Sequence, residues 1–157
     1  IERMLTMTVK PRVVSLAPAP VGRVEDPRNV EKRELLKALP ASRYALKAEQ
    51  IELGAPGIRL NGNDLLFVEV HEHRRTKQRR LFRVHGAPGR FSRSYIGNID
   101  EQLLVLRTLL DAPNEAALRF ADHYQCCARC SAELTDIESR RLGLGPTCVK
   151  YFPGLAK

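Results

Sequence analysis

CCARCSAELTDIESRRLGLGPTC, Cys126 to Cys148, holds all four cysteines of the chain, and the preceding 125 residues hold none. Cys127 and Cys130 form a C-x-x-C pair, and Cys148 returns after 17 further residues. A C-x-x-C turn brings two thiolates to one side of the backbone, where zinc can take both at about 2.3 Å. Four-thiolate zinc sites commonly read C-x2-C-x15–20-C-x2-C. Three quarters of that pattern is present here, and Tyr151, a poor zinc ligand, stands where the last cysteine would. The spacing predicts Zn2+ at Cys127, Cys130 and Cys148. The fourth ligand stays open: His123 lies four residues before Cys127 and completes a Cys3His site, Cys126 is the alternative, and Asp136 is a more distant one.

The residues inside the loop support a compact zinc knuckle. Thr135-x-x-Glu138 reads as a capping box that starts a short helix at Asp136. Gly143 fits the left-handed residue that ends such a helix, and Gly145-Pro146 turns the chain to bring Cys148 back. Four cysteines crowded into 23 residues suit a metal better than disulfides, which staple distant segments. A reducing, cytoplasmic setting is the matching expectation. The first residues, IERMLTMTVKPRVV, contain no apolar core of a secretory signal. No apolar run approaches the roughly 20 residues of a membrane span.

Cys127-x-x-Cys130, Leu134-Thr135-Asp136-x-x-Ser139 and Gly143-x-Gly145-Pro146-x-Cys148 together resemble an uncharacterised zinc-knuckle domain family of actinobacterial and phage proteins. That family reads C-x-x-C-G-R-x-L-T-D-x-x-S-x-x-x-G-I-G-P-x-C. The preceding helix, with Pro113 and Ala117, is similar to the segment before the family's knuckle. The resemblance implies a zinc-binding module of phage or mobile-element origin and implies no activity. Ser131 and Ala132 stand where the family has Gly-Arg. A glycine there relieves a left-handed backbone position, so Ser131 is expected to strain the turn.

Working outward, the 157 residues suffice for one domain with a small appended module, and the 43% hydrophobic content is ordinary for a globular chain. The charge is not ordinary. A net +8 favours polyanionic partners, nucleic acid above all. Residues 1–28, with Pro11, Pro18, Pro20 and Pro27, read as a flexible basic arm, with a short strand at Val13–Leu16 as an option. Asp26-Pro27 caps a helix whose stripe is Val30, Leu35, Leu36 and Leu39, ended by Pro40. Arg43–Leu46 reads as either a short strand or another helix start. Ile58–Leu60, Leu65–Val70 and Leu81–Val84 predict a three-stranded antiparallel meander. Asn98 or Asp100 caps a helix with Leu103, Leu106, Leu109 and Leu110. Pro113 starts another, carrying Ala117, Leu118, Phe120, Ala121 and Tyr124.

Between His73 and Ile99 there is no acidic residue, and residues 74 to 93 contain eight lysines and arginines. Arg74, Arg75, Lys77, Arg79, Arg80, Arg83, Arg90 and Arg93 are therefore the candidate contacts for a phosphate backbone of DNA or RNA. Phe91 and Tyr95 either stack on bases or return to the core, and the core is preferred for both. Enzyme signatures are missing. His71-Glu72-His73 is not the H-E-x-x-H helix of metalloproteases, and there is no phosphate loop, dinucleotide fingerprint or G-x-S-x-G. The deaminase pattern H-x-E…P-C-x-x-C is not met either.

The expected architecture is thus α+β: a small antiparallel meander with helices and a C-terminal treble-clef-like zinc knuckle. Three parts are expected, namely the arm 1–28, an α+β domain 29–125, and the knuckle 126–157 packed on the last helix. The expected function is non-enzymatic: nucleic-acid binding through the basic hairpin with zinc as scaffold. A protein-interaction module acting on a host protein is the alternative, and a zinc hydrolase is the remote one.

Overall fold

Strand β2, Leu65–Glu72, organises the computed structural model, which describes residues 24–51, 65–96 and 98–152. It lies inside a four-stranded antiparallel sheet of order β1-β2-β3-β4, with β1 at Arg43–Lys47, β3 at Arg79–His85 and β4 at Ser92–Ser94. The register sets Ala45 opposite Phe67, Val70 opposite Leu81, and Val84 opposite Arg93. Leu66 through Val70 are all buried. A run without alternation means that both faces of a strand are covered.

One cover is helix α4, Pro113–Tyr124, which packs along β1 and meets Phe67 edge-on through Phe120 and Tyr124, at 5.7 and 5.0 Å between ring centroids. The other is α1, Pro27–Ala38, packed against β3 and against α3, Ile99–Asp111. A single-turn helix, α2 at Ala48–Ile51, joins β1 to this layer. The helix starts follow their sequence signals. Asp26 caps α1, with Pro27 as its first residue. Asn98, rather than Asp100, caps α3, and Glu101 reaches back to the Asn98 N–H to complete a capping box. Among the described residues no helix is long and apolar enough to cross a membrane.

The α+β class is as expected, but the meander is assembled differently. Arg43–Leu46 is strand, paired with β2. The expected strand at Ile58–Leu60 and the optional one at Val13–Leu16 lie outside the described residues. β4 is a strand no pattern marked: its Ser-Arg-Ser side chains are all exposed, and it is held by backbone pairing to β3. Helix α1 starts at Pro27, inside the segment assigned to the flexible arm; residues 1–23 of that arm lie outside the described residues.

After α4, Gln125 takes a left-handed conformation and turns the chain into the cysteine segment. A bridge between Cys126 and Glu133 closes the first loop. Helix α5, Ile137–Leu142, then returns the chain against α4, and a 3-10 turn at Val149–Tyr151 follows Cys148. The α5 cap is Asp136, not Thr135. Its carboxylate accepts from the Ser139 N–H at 3.0 Å, which shifts the helix start by one residue. A charged acceptor at a helix N-terminus gains from the macrodipole as well as from the hydrogen bond, and an uncharged threonine does not.

Candidate metal centre

The sulfurs of Cys127, Cys130 and Cys148 all lie within 4.8 Å of one another. Tetrahedral coordination at about 2.3 Å separates two sulfurs by about 3.8 Å, so the three fit one cation with little movement. Each part of the turn has a local cause. The Ser131 N–H donates to Cys127 O at 2.9 Å, and the Cys127 N–H donates to Ala132 O at 2.8 Å. These bonds fold the C-x-x-C segment back on itself. Gly143 is left-handed at φ 78, and its Cα sits so close to α4 that a Cβ would meet the Leu118 Cα at 2.8 Å. The Ala128 N–H bonds to Gly143 O at 3.0 Å, tying the turn to the end of α5. Gly145 then donates its N–H to the Cys127 sulfur at 3.3 Å, and Cys148 is set by its own bond to Gly145 O at 3.0 Å.

The electrostatics favour a cation. Burial by itself raises the Cys127 thiol, but the N–H groups of Gly145, Cys130 and Arg129 aim at its sulfur and bring it below the ordinary thiol value. Cys148 is pushed up to about 11 by burial, with Arg129 working against this and the neighbouring Cys127 and Cys130 adding to it. Without a cation, three adjacent sulfurs cannot all ionise easily, because each charge raises the next. A divalent ion removes that penalty. Arg129 contributes too: its Nη1 lies 3.8 Å from the Cys148 sulfur. Three thiolates and a divalent cation sum to one negative charge, which a guanidinium can balance.

Neither His123 nor Cys126 is grouped with these three sulfurs. The His123 ring packs on Phe67 and Tyr124, at 4.8 and 4.7 Å between centroids. Cys126 is buried, and burial pushes its thiol up to about 11. Asp136 is occupied as the α5 cap. Tyr151, at the position of a fourth cysteine, lies under Arg129 with the guanidinium 3.6 Å from its ring centre. It thus holds the arginine that faces Cys148. No metal-ligand pattern marks Arg129, and only its place inside the C-x-x-C turn hints at it.

Arg43 is the other residue that spacing rules miss. Its N–H donates to Ala128 O at 3.0 Å, and its Nη1 donates to Arg129 O at 3.2 Å and to Ser131 Oγ at 3.0 Å. Its guanidinium also lies over the Phe91 ring at 4.9 Å and 3.7 Å from the buried Glu69 carboxylate. The knuckle is therefore clasped to the edge strand β1. Ser131 is left-handed at φ 70, the conformation a glycine would adopt without strain, and its hydroxyl accepts from Arg43.

The eight basic candidates separate by role. Arg74, Arg75, Lys77, Arg80 and Arg90 are exposed, Arg74, Arg75 and Lys77 lying in the β2–β3 turn. Arg79 points inward: its Nη1 donates to Lys37 O at 3.0 Å and to the carbonyls of Leu36 and Leu39, closing the C-terminal end of α1, while its Nε bonds to Glu72. Arg93 pairs with Glu69 at 2.9 Å, and Arg83 is half-buried. Phe91 packs on Phe120 and Tyr124 as the core reading expected. Tyr95 does not: it is 76% exposed, against the expectation that it returns to the core. Its ring meets Phe82 at 5.6 Å between centroids and is otherwise left on the surface, one residue past the end of β4.

Fold and site define a small α+β protein with a three-cysteine centre that can hold a metal ion. Residues 117–153 match DUF6011, a family of unknown function, over less than a quarter of the chain. The matched segment begins inside α4 and ends just past the 3-10 turn, so it contains the cysteine centre entire. No curated protein and no solved structure matches the chain.

Proposed function

We propose that this chain is a non-enzymatic, zinc-binding protein that contacts nucleic acid through its β2–β3 hairpin, with the metal as a structural clasp. Zinc is the metal of choice because a thiolate-only donor set favours soft or borderline cations that prefer tetrahedral geometry. The metal reads as structural because, among the described residues, no carboxylate or histidine joins the three cysteines to serve as a general base. Instead the surroundings are N–H groups and arginines that fix the sulfurs.

The observation that carries the nucleic-acid reading is the exposed β2–β3 turn. Arg74, Arg75 and Lys77 are exposed there; Glu72 takes Arg79 at 3.0 Å and Lys77 at 3.9 Å, which leaves Arg74 and Arg75 without an ion pair among the described residues. Unpaired cations on a hairpin tip suit a phosphate backbone, where each contact releases a counterion. The test is binding of the full chain to double-stranded DNA, to double-stranded RNA and to single strands at two ionic strengths. Binding that weakens with salt, and weakens again in an Arg74→Gln/Arg75→Gln variant, supports the reading. No binding to any of them at low salt ends it.

A further inference from the structure

A cleft of about 840 Å³ opens between α1 and the β2–β3 hairpin, and none of its lining residues belongs to the cysteine centre. That volume is within the range of small-molecule sites, roughly 300–1,000 Å³. Leu36 and Leu81 give it a buried apolar floor. Four of its six cations are already matched: Arg33 by Glu25, Lys37 by Glu34, and both Arg79 and Lys77 by Glu72. Two are not. Lys32 on α1 and Arg80 on β3 both line the cleft, and among the described residues neither has an acidic partner. The Lys32 ammonium is held below its ordinary range, first by burial and then by the charge of Arg80. Like charges brought together without an acid leave a position where an anion is welcome.

The rim carries the second element. Tyr95 lines the same cleft with its ring exposed, braced from behind by Phe82 at 5.6 Å between centroids. An exposed, supported aromatic ring offers a stacking platform for a planar base. We propose that this cleft binds a nucleotide unit, with its phosphate between Lys32 and Arg80 and its base on Tyr95. The same chemistry has two sources: a free mononucleotide, or one residue of a single strand led off the hairpin. The second source rests on the nucleic-acid reading above; the first does not.

Isothermal titration of the full chain with adenosine monophosphate, ribose 5-phosphate, adenosine and a twelve-residue oligothymidylate separates these. Adenosine monophosphate is expected to bind, and Lys32→Gln and Arg80→Gln each to weaken it about tenfold, the loss of one charge-assisted contact. Tyr95→Ala should weaken adenosine monophosphate by about tenfold and leave ribose 5-phosphate unchanged. Adenosine should bind more weakly than its monophosphate. If Lys32→Gln also weakens the oligonucleotide, the site takes a strand; if only the mononucleotide responds, it takes the free ligand. Absence of adenosine monophosphate binding at millimolar concentration overturns the proposal, as does binding that Lys32→Gln and Arg80→Gln leave intact. Should Arg74→Gln/Arg75→Gln abolish oligonucleotide binding while Lys32→Gln changes neither ligand, the cleft assignment fails and the hairpin reading stands. Mononucleotide binding that needs Lys32, with no oligonucleotide binding at all, gives the reverse.

Discussion

Ser131 sits at φ 70 with its hydroxyl accepting from Arg43 at 3.0 Å, so two opposed effects meet in one side chain. A left-handed non-glycine residue costs about 1–2 kcal/mol, and a hydrogen bond to a charged group contributes about 1.5–3 kcal/mol. Ser131→Ala keeps the strain and loses the bond, so urea unfolding should show a loss of about 1–2 kcal/mol. Ser131→Gly loses the bond but relieves the strain, and should stay within about 1 kcal/mol of the parent chain. Gly143 has no such compensation. Its φ of 78 and the 2.8 Å approach to the Leu118 backbone mean that Gly143→Ala strains the turn and pushes α5 off α4 together. A loss of about 2–4 kcal/mol is expected in the same assay. The cysteines add a pH dependence. Burial pushes the Cys148 thiol up to about 11, so metal binding must displace its proton. Zinc affinity should therefore fall as pH drops, and zinc titrations at pH 6.5 and pH 8 check it.

At the scale of elements, arginines four and five positions apart prove unlike in role. Arg79 closes the C-terminal end of α1 and bonds to Glu72, whereas Arg74 and Arg75 face solvent in the turn. Arg79→Gln should therefore destabilise the fold by about 1–3 kcal/mol in urea unfolding. Arg74→Gln/Arg75→Gln should move stability by no more than about 0.5 kcal/mol and act on nucleic-acid binding alone. The sequence presents all of them as one basic run, because charge shows composition and not direction. Elements specified by local signals were legible: α1 through Asp26-Pro27, α3 through Asn98 as one of its two candidate caps, and β2 through its apolar run. β1 stayed ambiguous and β4 escaped notice, since what defines them is pairing with a strand far away or a few residues of backbone. The cysteine triad was legible because C-x-x-C and a returning cysteine constrain geometry directly. Arg43 was not, for it reaches the knuckle from 86 residues away, at Arg129.

Across the whole molecule, Arg43 is a polar link between knuckle and sheet, beside the Tyr44–Phe152 ring contact at 6.3 Å between centroids and a shared buried core. Arg43 bonds to Ala128, Arg129 and Ser131 on one side and approaches Glu69 on the other, while Arg93 pairs with the same carboxylate. Removing the metal should consequently be felt beyond the cysteines. A strong chelator is expected to unfold at least the C-terminal quarter, since the free energy of a structural zinc site is folding free energy. Hydrogen exchange should then rise at the amides of Cys127, Ala128 and Cys148 and also at Arg43, while the β2–β3 pairing stays protected. Exchange confined to the cysteine segment, with Arg43 unmoved, would show that the clasp is not coupled. The Arg43 contact also has a meaning for failure. β1 is the outer strand of the sheet, and its Arg43 N–H is covered by the Ala128 carbonyl of the knuckle. Unpaired strand edges are templates for joining one chain to another. An ion held at the three cysteines would then double as a guard against edge-to-edge assembly, and its removal should show as self-association, read by light scattering.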